Sequence, residues 1–216
     1  MLVGSNKDDG LILTTILETN PIMYWVYRTF WPLMAPGILF HTPIDQTTNE
    51  LKEKATQLAD FYLGGIENMK PENFQLITDM FTDGFVTYAV DCFVDYARST
   101  QTVYQYIYTH LGEYGLNPDN GIEKLGVNHA DELYLQWDPL YGASHPLNDS
   151  DKEMSQILID LWTSFIKTGV PTADGVTWES ASSDSHQYLV LNNTSYMDYS
   201  EDYKNKMSFW RSIFPC

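Results

Sequence analysis

Gly126-Val127-Asn128-His129-Ala130-Asp131-Glu132-Leu133 is the stretch from which the rest of this chain can be read. It sets one histidine just after a glycine-containing turn and ahead of a short acidic and apolar run. Upstream, Thr102 to Thr109 carries Val103, Tyr104, Tyr106, Ile107 and Tyr108, a β-branched and aromatic composition that predicts a strand. The loop Gly112 to Gly126 leads from that strand to His129. The chain's start repeats the arrangement: Met1 to Gly4 predicts a strand, and Ser5 to Gly10 the loop that leaves it, with Asp8 and Asp9 near its end. In α/β sheets, binding groups sit on loops at the carboxyl ends of strands, so Asp9 and His129 fall where chemistry is expected.

The remaining segments predict helices around those strands. Leu11 to Glu18 is one, ended before Pro21. Pro21 to Pro43 is rich in aromatic residues and broken by Pro32 and Pro36; it shows no clean period and is expected to be irregular, either covering a pocket or filling core. Thr47 or Thr48 caps a helix to about Tyr62, and Pro71 begins another near Asn73. Thr82 to Ala97 predicts a longer helix with Phe85, Tyr88, Ala89, Cys92, Phe93 and Tyr96 on its apolar face. Cys92 there reads as a buried thiol. Ser150 or Asp151 opens an amphipathic helix whose face is Met154, Ile157, Leu158, Leu161, Trp162 and Phe165, stopped by Gly169 and Pro171. Tyr188 to Leu191 is expected as a last edge strand and Tyr199 to Phe214 as a closing helix. The Thr102 to Thr109 strand is expected to keep an exposed edge that favours aggregation.

With 12 basic and 29 acidic residues the chain carries a net charge of −17, which sets it against nucleic acid and anionic membrane as partners. No run of 18 apolar residues is present to span a bilayer. Lys7, Asp8 and Asp9 come too early for a signal peptide. Two cysteines, Cys92 and Cys216, make no disulfide framework, and their pairing stays open. His129-Ala130-Asp131-Glu132 is not a zinc motif, and no P-loop or dinucleotide fingerprint occurs, so no metal and no cofactor are expected.

The central stretch resembles the G-V-x-H-x-x-E-[LI] segment of type B carboxylesterases, the family of carboxylesterases, cholinesterases and juvenile hormone esterases. Gly4-Ser5-Asn6-Lys7-Asp8-Asp9-Gly10 is similar to that family's G-x-x-x-D-E-G loop. Leu161-Trp162-Thr163-Ser164-Phe165-Ile166-Lys167-Thr168-Gly169-Val170-Pro171 resembles its L-W-x-x-F-A-x-x-G-x-P segment, and Trp178 its W-x-P, with Ser180 in the proline's place. The resemblance implies an α/β class: the C-terminal portion of an α/β-hydrolase fold, an incomplete sheet with flanking helices, forming residues 1–216 of one esterase domain whose upstream half lies outside this chain. It implies Asp9 as triad acid, His129 as triad histidine and Glu132 as a supporting carboxylate. Asp9 stands where the family usually has glutamate, so its shorter side chain asks for a closer approach. The last cholinesterase bridge would fall near Thr87 and Met207, neither a cysteine.

The nucleophile serine is not found. Of the G-x-S-x-G elbow, the nearest match is Gly142-Ala143-Ser144-His145-Pro146, which has proline for the last glycine and follows the histidine in the chain instead of preceding the acid. For the intact protein the resemblance implies a serine hydrolase of small-molecule carboxylic esters; for this chain alone no turnover is expected. The alternative is a cholinesterase-like adhesion or binding module that has lost catalysis. Asn148, Asn192 and Asn193 stand in N-glycosylation sequons. With the family, these imply a secreted, extracellular glycoprotein, compatible with a homodimer.

Overall fold

The structure, a computed structural model, describes residues 1–119, 121–137, 146–182 and 186–216. Ser144 and its neighbours Gly142, Ala143 and His145 lie outside the described residues. The regular elements are β1 (Leu2–Asn6), α1 (Leu11–Thr19), α2 (Ile22–Leu39), α3 (Asn49–Leu63), α4 (Phe74–Thr82), α5 (Tyr88–Ala97), β2 (Tyr104–Tyr108), α6 (Leu116–Asp119), α7 (Asp149–Thr168), β3 (Tyr188–Leu191), β4 (Tyr196–Asp198) and α8 (Glu201–Ile213). They fall into two compact units. One, the sheet unit, is Met1–Lys7 with Val90–Lys206; the other, the helical unit, is Asp8–Ala89 with Met207–Cys216.

The sheet runs β1-β2-β3-β4. β1 pairs in parallel with β2, Leu2 opposite Tyr104 through Asn6 opposite Tyr108; β3 continues in parallel and β4 closes antiparallel. The pleat sends alternate side chains to opposite faces. Tyr104, Tyr108, Leu189 and Leu191 face α7, where Met154, Leu158 and Leu161 recur on one buried helical face and Trp178 completes the cluster. Val3 and Val103 face the other way, against Val94 and Ala97 of α5. Burying each such aliphatic side chain stabilises the unit by about 1.5–3 kcal/mol.

Two strand expectations need correction. The Thr102 to Thr109 strand is not an edge: β2 is paired on both sides. Nor is Tyr188 to Leu191 the last strand, since β4 covers it; all four of its residues are buried, as a strand covered on both faces requires.

The sheet unit also holds a polar cluster that joins β2 to α5. Tyr203 donates to Asp91 (3.0 Å) and accepts from Gln105 Nε2 (3.1 Å), while Gln105 Oε1 meets His186 Nε2 at 2.8 Å. Asp91 is fully buried. The apolar face expected on Thr82 to Ala97 is therefore offset. The buried positions are Thr82, Asp83, Thr87, Asp91, Val94 and Ala97; Ala89, Phe93 and Tyr96 are exposed. The helix also begins as a π-helical turn over Asp83–Thr87, which shifts the phase of the stripe. Cys92 is not a free thiol: both Cys92 and Cys216 are disulfide-bonded.

In the helical unit the stretch expected to be irregular is α2, an α-helix that contains both Pro32 and Pro36. Each interior proline removes a backbone donor and costs about 3 kcal/mol. The burial of Tyr24, Tyr27, Trp31, Ala35 and Leu39 along one helical stripe offsets it, and the Trp31 indole donates to the Ala55 carbonyl of α3 at 2.6 Å. Ile22, Trp25, Phe30 and Leu33 are exposed on the same helix. Apolar residues all round the helix hid its period in the sequence. Thr48 caps α3, its hydroxyl accepting from Leu51 N at 3.3 Å.

Candidate functional site

The parallel pairing of β1 and β2 makes both strands end at one edge of the sheet, and Lys7 N donates to Tyr108 O there at 2.9 Å. The two segments singled out in the sequence leave from this edge: a short turn after β1 and a long loop after β2.

The long loop is fixed by buried side chains, step by step. Thr109 N donates to Leu191 O (3.0 Å), and His110 Nε2 pairs with Asp151 Oδ1 at 2.7 Å in the first turn of α7. The second oxygen of Asp151 accepts from Glu113 N at 3.0 Å. Further on, Asp131 gathers the loop onto itself. Its Oδ1 accepts from Leu116 N (3.1 Å), its Oδ2 from Asn128 N (2.9 Å), and Lys124 Nζ lies 3.3 Å away. Gly115 is required beside it, because a Cβ there would come within 2.4 Å of Asp131 Oδ1. Asp131 is buried, and burial raises its pKa above the ordinary carboxylate value against the opposing pull of Lys124 and the two backbone N–H groups. Asn128 Nδ2 donates to Asn117 Oδ1 (3.0 Å), and Asn128 Oδ1 accepts from His129 N at 2.7 Å.

His129 is half-buried at the tip of this network. The next residue, Ala130, takes a left-handed conformation (φ +65°) that starts a 3₁₀ turn over Asp131–Leu135. Asn6, the last residue of β1, ties the turn to the sheet. Its Nδ2 donates to Asn128 O at 2.7 Å and to Glu132 Oε2 at 2.6 Å. Glu132 thus acts on the His129 loop through a strand-end asparagine. Beneath the loop, Tyr108 is kept un-ionised: burial first, then the charges of Glu132, Asp131 and Asp151, push its pKa far up. A histidine held in this way has a fixed backbone, which suits proton transfer.

The short turn belongs to the helical unit. Asp8 O accepts from Leu11 N (2.9 Å) and Asp9 O from Ile12 N (3.3 Å), so α1 begins almost at once. Both aspartates are buried, Asp8 at 4% and Asp9 at 2% exposure. Asp8 Oδ1 accepts from Gln75 Nε2 at 2.9 Å. Gly10 N donates to Thr82 Oγ1 (2.9 Å), and its missing side chain is what admits α4: a Cβ would lie 2.5 Å from Thr78 O and 2.6 Å from Thr82 N. The negative end groups of two carboxylates also suit the start of a helix.

Asn6, Asn117, Asn128 and Asp131 were not singled out in the sequence. Asn6, Asn128 and Asp131 had a signal there, as unfilled places inside the two resembling segments; Asn117 had none. Among the described residues no group of three metal-ligating side chains is arranged to hold an ion, and no helix is long and apolar enough to cross a membrane.

Comparison with known proteins covers the same chain. The model of the carboxylesterase family matches residues 1–210. Venom carboxylesterase-6 of Apis mellifera is 25% identical over 97% of this chain and 38% of its own length. A carboxylic ester hydrolase of Bombus ignitus is 27% identical over 97% of this chain and 39% of its own. Among solved structures, the juvenile hormone esterase of Manduca sexta superposes on 100% of this chain and 41% of its own with a TM-score of 0.73 at 16% identity, a likeness of fold. The chain therefore spans about two fifths of the length of these relatives.

Proposed function

The chain belongs to the carboxylesterase family, and we propose that it is the C-terminal part of a serine hydrolase of small carboxylic esters, to which it contributes the triad acid Asp9 and the triad histidine His129. The observation that carries this reading is the construction of the His129 loop. Hydrogen bonds of Asn6, Asn128, Asp131 and Glu132, buried or part-buried, hold the backbone on either side of one half-buried histidine. A histidine kept only for packing has no need of such a frame.

In the proposed reaction a serine hydroxyl supplied by the upstream part of the protein attacks the ester carbonyl. His129 takes its proton, then returns it to the departing alcohol; water repeats the cycle on the acyl-enzyme. Asp9 holds the tautomer of His129 and stabilises its imidazolium. Glu132 positions the loop through Asn6 and touches no substrate. The three sequons agree with a secreted, extracellular protein.

The test uses the gene extended upstream of Met1, with p-nitrophenyl acetate as substrate and a fluorophosphonate as active-serine probe. Hydrolysis and labelling are expected in the extended protein, and neither in residues 1–216 alone. His129→Ala should remove almost all turnover. Asp9→Asn should remove orders of magnitude; the equivalent change in one serine protease costs about 10⁴ in turnover. A folded extended protein that neither hydrolyses nor labels would instead be a binding module. Labelling of Ser144 in residues 1–216 would put the nucleophile inside this chain.

A further inference from the structure

Three asparagines stand in sequons, and the sheet unit treats their side chains differently. Asn148 is exposed and caps α7: its Oδ1 accepts from Asp151 N at 2.9 Å, while among the described residues its Nδ2 has one long contact, 3.3 Å to Glu113 Oε2. Asn192 is half-buried in the turn between β3 and β4. Its Oδ1 accepts from Thr194 N (2.8 Å) and its Nδ2 donates to Thr109 Oγ1 at 3.0 Å, just beyond the end of β2. Asn193 is turned onto the start of α7. Its Nδ2 lies 3.1 Å from Ser150 O, 3.3 Å from Ser150 Oγ and 3.0 Å from Glu153 Oε2. Its Oδ1 is buried and, among the described residues, has no hydrogen-bond partner.

We infer that Asn148 is the N-glycan acceptor of the folded protein and that Asn192 and Asn193 are bare. N-glycosylation joins the asparagine Nδ2 to the anomeric carbon of an oligosaccharide carried on a polyprenyl diphosphate. The new N–C bond forms as the C–O bond to the diphosphate breaks; the diphosphate leaves with the electron pair and the amide gives up one proton. Afterwards the nitrogen keeps one hydrogen and the carbonyl oxygen is unaltered. At Asn148 both features suit the fold. The Oδ1 cap on Asp151 N survives, and the sugar extends from an exposed helix end into water. At Asn193 three acceptors crowd the same nitrogen, so a sugar ring there would push the turn off α7 and strip Ser150 and Glu153 of their donor. At Asn192 it would displace Thr109 and loosen the junction of β2 with the His129 loop. Transfer acts on the extended chain before folding, so the fold serves as a filter: a chain modified at Asn192 or Asn193 cannot close this turn. The adjacent sequons also compete, because a glycan on one obstructs the other.

The experiment is glycopeptide mapping of the protein secreted from eukaryotic cells behind a cleavable leader. Treatment with a peptide N-glycosidase in heavy-oxygen water marks each formerly glycosylated asparagine. The mark is expected on Asn148 and absent from Asn192 and Asn193 in the secreted wild type. Asn148→Gln removes the cap as well as the acceptor, so Ser150→Ala is the partner variant: it destroys the sequon and leaves the Asn148 cap in place. Either variant should abolish the glycosidase-sensitive mobility shift. A bare Asn148, or a glycan on Asn192 or Asn193 of the secreted protein, overturns the assignment; the wild-type map alone decides it should a variant fail to fold.

Discussion

The loop that carries His129 and the turn that carries Asp9 follow neighbouring parallel strands, yet they are fixed by different means. The turn is short: its carbonyls are taken up at once by the first N–H groups of α1, and Gly10 lets the backbone of α4 come close. The loop is long and holds only the single turn of α6 and the 3₁₀ turn of Asp131–Leu135 to absorb its polar backbone. It relies on Asp131, Asn128, Asn117 and Asn6 to accept or donate where backbone partners are lacking. Buried backbone groups must be paired, and a long connection inside a core satisfies them with side chains. The lesson is that the short turn depends on the absence of a side chain and the long loop on the presence of several.

The largest effect should come from the loop. Asp131→Ala removes the acceptor of two backbone N–H groups and the partner of Lys124, and each buried unsatisfied donor costs about 1–3 kcal/mol. A fall in the urea midpoint equal to several kcal/mol, with faster amide exchange at Leu116 and Asn128, is expected; an unaltered midpoint would break the comparison. Next comes Gly10→Ala, which drives a Cβ against immovable backbone of α4 and should cost at least the ~1–3 kcal/mol of ordinary overpacking. Thermal unfolding reads it directly, and a silent substitution would show that the turn is less tightly built than the distances say.

The pH dependence sharpens the contrast. The native pKa of Asp131 is raised, so the folded state takes up its proton at a higher pH than the unfolded chain does. The contribution of Asp131 to stability therefore improves as pH falls from the raised native value toward the ordinary carboxylate value, and worsens as pH rises back through the same window. Asp131→Asn should be less stable overall but should lose that component of the slope. Identical slopes in wild type and variant, measured by denaturation across mildly acidic pH, would count against it. The smallest effect is expected at Asp8. Asp8→Asn keeps an oxygen for Gln75 Nε2 and should shift stability by less than the about 1 kcal/mol of a typical hydrogen bond. Glu132→Gln, which weakens the charge on the 2.6 Å bond from Asn6, should fall between, at about 1 kcal/mol. An Asp8→Asn loss larger than that of Glu132→Gln would reverse the ranking of turn and loop.

Local chemistry was legible in the sequence wherever near neighbours decide structure. The β-branched and aromatic alternation of Tyr104 to Tyr108 placed β2, Thr47 or Thr48 placed the start of α3, and Met154, Leu158 and Leu161 with Gly169 placed α7 and its end. The family segments around Asp9 and His129 were legible for the same reason, being contiguous. Tertiary structure alone decided the rest. β2 became central because β1 and β3 arrive from far along the chain to pair with it. α2 stayed helical through two prolines because its buried aromatic stripe outweighs the lost hydrogen bonds. The stripe of α5 shifted because a π-turn precedes it and because Asp91 found Tyr203 as a buried partner. Glu132 met Asn6 across a separation that no local pattern encodes. Propensity and periodicity are sums over adjacent residues, whereas pairing, charge burial and cross-linking depend on which distant groups the folded chain brings within a few ångströms.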